Sequence, residues 1–193
     1  MIAKLRRLPR WIGYVKGPFI MSWLRKRRVL LRHPHAQIVF HDHVYVGPGF
    51  SLDIRDNGTF IAGPRTHFRR NFHAQIVGDG RIEIGADSGF TYDGLIQCST
   101  SITIGERCFF GQSVQLVDGN HRFRDLSTPM LEQGYDYRPL RIGDDVTVTT
   151  KCTIMADLGT RAVIGAGAVV TNPIPPYAIA VGVPARVIET YGP

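Results

Sequence analysis

RIGDDVTVTTKCTIMADLGTRAVIGAGAVVTNPIPPYAIAVGVPARVI, Arg141 to Ile188, carries large aliphatic residues at a spacing of six: Ile142, Val148 and Ile154, then Leu158, Ile164 and Val170 after a slip of four. On a helix a step of six turns the side chain through about 600°, so these residues would spiral around the cylinder. On an extended chain an even step keeps them all on one face. A small residue follows several of them, as in Ile84-Gly85, Ile104-Gly105, Ile142-Gly143 and Ile164-Gly165. A small residue at a fixed place in each repeat marks a corner where a side chain would clash. The pattern is that of a β-solenoid, with short flat sides and tight corners stacked coil on coil.

The spacing continues upstream through Ile84, Phe90, Ile96 and Ile102, then Ile104, Phe110 and Leu116, which predicts further coils of roughly eighteen residues. Residues 36–83 show the same step in patches (Ile38, Val44, Phe50; Val46, Leu52; Ile76, Ile82) and are read as solenoid too. The repeat stops after Leu116 and resumes at Arg141-Ile142-Gly143. The polar segment between, rich in Gly and Pro, must loop out, and loops of this length in compact domains usually carry function. It holds Asp118, Asn120 and His121, and His121 is its one side chain able to exchange a proton near neutral pH.

The 193 residues carry a formal charge of +7, unevenly placed. Residues 1–32 contain ten Lys or Arg and no acid, while residues 33–193 hold thirteen bases against sixteen acids. Between the basic clusters, Trp11 to Leu24 is aromatic and aliphatic but broken by Gly13, Lys16, Gly17 and Pro18, too short to span a bilayer. Three roles compete for this arm, residues 1–35: a helical cap on the solenoid end, a segment at the surface of an anionic membrane, and a signal peptide. Lys16 and the run RKRRVLLRH, where a cleavage site would lie, speak against the last. Nucleic acid binding lacks an accompanying recognition motif. Cys98, Cys108 and Cys152 have no paired spacing and read as buried small residues of a reducing compartment. His33, His35, His41 and His43 alternate in a way that can ligate zinc, but no further ligand accompanies them, so no metal site is expected. The basic stretch Arg65 to His73 is a coil corner or a patch for an anionic substrate or a neighbouring subunit.

The loop DGNHRF, the phrase RIGDDV and the ending AVIGAGAVVTNPIPPYAIAVGVPARVI together resemble the hexapeptide-repeat acyltransferases, in particular the O-acetyltransferases of sugars, lipopolysaccharide and capsule. The resemblance covers about residues 80–190 and implies an all-β fold, a left-handed parallel β-helix over residues 36–190 with an excursion at 117–140. It implies acetyl-CoA as co-substrate and transfer of its acetyl group to a hydroxyl of a cell-surface polysaccharide or its precursor. His121 matches the catalytic general base, and Asp118 lies where it can orient the imidazole. Thr150, Ala166 and Thr171 match positions lining the coenzyme groove, and Arg186 matches a basic residue near the coenzyme phosphates. Thr91, Tyr92, Asp93 and Asn120 are the matching candidates for acceptor contacts. A homotrimer with active sites between subunits is implied as well, in the cytoplasm or at the inner face of the membrane. The chain departs from the family at Thr147, where Trp is usual, at Thr149, where Gly is usual, and at Asn172, where Lys is usual. N-acetylation of an amino sugar nucleotide and a non-catalytic scaffold are the alternatives. A gamma-class carbonic anhydrase would need three histidines in the coils.

Overall fold

The computed structural model describes residues 17–193. Helix α1 (Gly17–Arg32) leads into a parallel β-helix whose first five coils each contribute one strand to each of three faces. The first coil is β1 (Gln37–Phe40), β2 (Tyr45–Val46) and β3 (Ser51–Ile54), the second β4 (Thr59–Ala62), β5 (His67–Arg70) and β6 (His73–Ile76). The third is β7 (Arg81–Ile84), β8 (Gly89–Tyr92) and β9 (Leu95–Cys98), and the fourth β10 (Ser101–Ile104), β11 (Phe109–Phe110) and β12 (Gln115–Val117). The excursion follows, with β13 (Gly119–His121), a 3-10 turn (Met130–Glu132) and β14 (Tyr135–Tyr137). The coils resume with β15 (Leu140–Ile142), β16 (Thr147–Val148) and β17 (Thr153–Ile154), then β18 (Val163–Ile164) and β19 (Val169–Val170), then β20 (Ala178–Val181). Strand β21 (Arg186–Thr190) folds back antiparallel on β20 and closes the second face. The solenoid is the left-handed parallel β-helix.

Coils are not uniformly eighteen residues long. Ile38 pairs with Phe60 and Phe60 with Ile82, a step of twenty-two; Ile82 pairs with Ile102, a step of twenty. Late in the chain Ile142 bridges Leu158 and Leu158 bridges Ile174, a step of sixteen. Most early strands are four residues long, and several turn two side chains inward, such as Leu52 with Ile54 in β3, where a two-residue strand turns in one, such as Val148. Each added inward residue lengthens the coil by two, so the inside-outside alternation survives. The wider early coils are filled by Phe40, Phe50, Phe60, Phe68, Phe72, Phe90 and Phe110, with the Phe90 and Phe110 rings stacked at 4.3 Å. The narrow late coils close on Ala162, Ala168, Ala178 and Ala180. Coil length and core side-chain volume therefore fall together, which keeps the interior filled.

At the corner between the first and second faces, Gly63, Gly85, Gly105, Gly143 and Gly159 stack on one another. A Cβ on Gly85 would lie 2.6 Å from Gly105 C, and one on Gly143 would lie 2.5 Å from Thr160 N. The glycines are needed for this close approach. The left-handed conformation falls two residues later, on Arg65, Asp87, Arg107, Asp145 and Arg161, with φ between 55° and 59°. Those alternating charges pair up the stack: Arg65 with Asp87 at 2.6 Å, Arg107 with Asp145 at 2.7 Å. Such exposed pairs each contribute little, but they occupy the corner without crowding it.

The first coil would leave an open sheet edge, and α1 covers it. Ser22 Oγ accepts the Val46 N–H at 2.8 Å, while Arg25 and Lys26 donate to the carbonyls of Val46 and Val44, both at 3.1 Å. His33 and His35 bond the Ile54 carbonyl of the same edge, so these two histidines serve the cap. The part of the arm comprising residues 1–16 lies outside the described residues. Among the described residues, no helix is long and apolar enough to cross a membrane. The three cysteines are buried and unpaired.

Candidate active site

The excursion leaves the fourth coil at Asp118, which is almost fully buried. Its carboxylate accepts from the Ser99 and Thr100 amides at 2.9 and 2.6 Å and from the Thr100 hydroxyl at 2.9 Å, all in the preceding coil. Its own carbonyl accepts the Arg138 N–H at 2.8 Å, at the point where the excursion returns. Asp118 thus fastens both ends of the loop to the solenoid. The expectation that it orients His121 is corrected: its oxygens are committed to Ser99 and Thr100, and it is a positioning residue for the loop.

Beyond Asp118 the excursion is a structured hairpin, with Gly119 opposite Tyr137, Asn120 opposite Asp136 and His121 opposite Tyr135. A Cβ on Gly119 would lie 2.2 Å from the Tyr137 ring, so only glycine admits that aromatic. The His121 ring rests on Tyr135 at 4.2 Å, and Tyr135 stacks on Tyr137 at 5.2 Å with planes 9° apart. At the tip, Asp125 accepts from Ser127 and Thr128, and these hydrogen bonds hold its carboxyl down at about 2.

His121 stands between two cavities. One, of about 400 Å³, lies against the third face and is lined by Gln75, Gln97, Ser99, Asn120, Tyr135 and Tyr137, among others. The other, of about 390 Å³, opens toward Arg122, Phe123 and Arg124. In the first, Gln97 donates to Gln75 at 3.3 Å and Gln75 to Asp53 at 3.4 Å, a polar ladder running down the outside of the third face. Stacked phenol rings beside side-chain amides suit a polyhydroxylated ligand, which offers C–H faces and many hydroxyls. Cys98 also borders this cavity, but burial and the charge of Asp118 push its thiol up to about 12, so it is no nucleophile near neutral pH. Among the described residues there is no cluster of three metal-ligating side chains.

The remaining sequence candidates fall elsewhere on the chain. Thr150 and Ala166 are exposed on the corner between the second and third faces, stacked through the Gly167 N–H to Thr150 carbonyl bond at 2.9 Å. Arg186 opens β21 on the same corner, where the neighbouring Ala185 N–H bonds the Val169 carbonyl at 2.8 Å. Thr171 follows β19 on the corner from which the excursion departs, two strands along from β12. Thr91 and Tyr92 lie in β8, and Asp93 follows on the second-to-third corner, accepting from Asn71 at 3.0 Å. Tyr92 lines a separate cavity with Tyr45, Pro48, Arg69 and Arg70. A single chain therefore brings Asp118, Asn120 and His121 together but places Thr91 to Asp93, Thr150, Ala166 and Arg186 on another corner.

A profile described as the hexapeptide repeat of succinyl-transferase matches residues 139–172. A probable acetyltransferase of Mycobacterium tuberculosis is 27% identical over 173 residues, 89% of this chain and 57% of that one. Galactoside O-acetyltransferase of Escherichia coli is 30% identical over 133 residues, 67% of this chain and 56% of that one. The chain belongs to the hexapeptide-repeat acyltransferase family. It spans a little over half the length of these curated relatives. A hexapeptide-repeat acetyltransferase from Vibrio cholerae, solved with acetyl coenzyme A, shares the fold with a TM-score of 0.59 and 21% identity over 99% of this chain and 91% of that one.

The residues of the His121 cavity missed from sequence include Gln75, Gln97, Tyr135 and Tyr137. For the amides a signal existed, because Asp53, Gln75 and Gln97 recur at twenty-two residues, the length of the early coils. For the tyrosines there was none, since their approach depends on the hairpin register. At the family departures, Thr149 Oγ1 donates to the Ile164 carbonyl at 2.7 Å, so the side chain replacing Gly is turned onto the next coil.

Proposed function

We propose that this hexapeptide-repeat protein is an acetyl-CoA-dependent acetyltransferase acting on a saccharide hydroxyl, with His121 as general base. The observation that carries the reading is the placement of His121 on a stapled hairpin, at the edge of a cavity built from side-chain amides and stacked tyrosines. The matches to a galactoside O-acetyltransferase and to an acetyltransferase solved with acetyl coenzyme A support both the acceptor class and the donor.

In the reaction, an imidazole nitrogen of His121 removes the hydroxyl proton as the oxygen attacks the thioester carbonyl. A C–O bond forms, the C–S bond then breaks, and the proton passes to the departing coenzyme thiolate. With its thiol pushed up by burial, Cys98 is not the carrier of the acetyl group. Thr150, Ala166 and Arg186 offer the coenzyme an exposed, partly cationic corner on the late coils, and Thr171 continues it toward the excursion. Because most of that corner lies away from His121 on the same chain, the complete site takes His121 from one subunit and the coenzyme corner from the next, in a homotrimer.

The test is turnover with acetyl-CoA and a panel of saccharides. His121→Ala lowers kcat by about two to four powers of ten with coenzyme affinity unchanged. Near-wild-type turnover would remove His121 from the role.

A further inference from the structure

We propose that α1 is an interfacial anchor that seats the first coil of the solenoid on an anionic lipid bilayer. The inference stands independently of the acetyl-transfer reading, because it rests on the opposite end of the molecule from the coenzyme corner.

One side of the helix is spent on the protein: Ser22, Arg25 and Lys26 satisfy the edge of β2, and Val29 is buried. At about 100° per residue the opposite side presents Ile20, Leu24, Arg27 and Leu31, flanked by Phe19 and Trp23. Leu31 is 81% exposed, Ile20 53% and Leu24 46%, an outward apolar strip beside the partly exposed rings of Phe19 and Trp23. Because Ser22, Arg25 and Lys26 bond the outer edge of the first coil, this strip points away from the solenoid along its axis.

The charges around the strip are of one sign. Arg27 lies over the Trp23 ring at 5.3 Å, and Arg28 and Arg32 follow on the flank. Residues 1–32 contain no acid, and among the described residues none of the helix bases pairs with a carboxylate. Phe19 packs edge-on against Tyr45, whose cavity carries Arg69 and Arg70. Leucines, a tryptophan and unpaired bases on one helix face match the acyl boundary and anionic headgroups of a bilayer. A nucleic acid backbone would use the bases and leave Leu24 and Leu31 wet, so lipid accounts for more of the surface. Seated this way, the cavity beside His121, on the fourth coil, stands about 15 Å above the first coil at ~4.8 Å per coil.

The test is flotation of the full chain with vesicles of phosphatidylcholine alone or mixed with phosphatidylglycerol, using Leu24→Glu and Leu31→Glu, singly and together. Both leucines face solvent, so circular dichroism of the variants should match the parent. In a Trp11→Phe background, Trp23 emission reports burial of the helix face. The expected result is flotation with the anionic vesicles, a blue shift of Trp23, weakening by added salt, and a loss of about tenfold in partitioning for each glutamate. No flotation with phosphatidylglycerol vesicles overturns the proposal, as does equal flotation of the double variant. So does a drop in solution mass caused by the glutamates, which would show that a second copy of the chain covers the strip.

Discussion

Asp118 and His121 are three residues apart and do different work. The first is buried and anchors the loop to Ser99, Thr100 and Arg138, while the second is exposed and lies against Tyr135 between two cavities. Asp118→Ala strands the partly buried amides of Ser99 and Thr100, and the expected total cost is about 1–3 kcal/mol, read from denaturant unfolding. The residual turnover of that variant keeps the pH dependence of the parent, because the imidazole loses no partner. A displaced pH profile would restore the carboxylate to His121. Both residues stand out in DGNHRF, but their different placements do not, because these depend on which way a side chain turns at a corner that spacing alone does not describe. Tyr135 and Tyr137 were invisible for a related reason: their partner positions are set by a hairpin inside what reads as a polar loop.

At the scale of the element, an even step was enough to show extended chain with one face inward, and steps of two, four and six all preserve it. That is why the solenoid was readable from residue 84 onward and only patchy before. Early coils add inward residues such as Ile54 and Ile76, which break the six-residue spacing without breaking the alternation. The small residue after Ile84, Ile104 and Ile142 was rightly read as a clash site, and the structure identifies the obstacle as the backbone of the next coil. Gly143→Ala sets a Cβ 2.5 Å from Thr160 N, so a coil must shift, with an expected loss of about 1–3 kcal/mol in unfolding free energy. An unchanged melt would mean that the corner is loose. At the corner between the first and second faces the left-handed residues could not have been found, since Arg65, Asp87, Arg107, Asp145, Arg161 and Tyr177 occupy it in place of the Gly or Asn that usually marks positive φ.

For the molecule as a whole, charge partition was the most informative feature of composition: within the basic arm on a slightly acidic body, Gly17–Arg32 form a helix that closes one end of the solenoid. How subunits meet is beyond any single-chain pattern, because flat faces of similar polarity recur around the coil. Yet the proposed trimer has a visible motive. The coenzyme corner of Thr150, Ala166 and Arg186 and the hairpin of His121 lie apart on one chain, and a neighbouring copy would bring them together. The most direct measurement of the central claim is calorimetric titration with acetyl-CoA of the wild type, His121→Ala and Arg186→Ala. The expected outcome is micromolar affinity that survives in His121→Ala and weakens about tenfold in Arg186→Ala, a loss of ~1.4 kcal/mol; absence of binding to the wild type at millimolar acetyl-CoA would contradict the account.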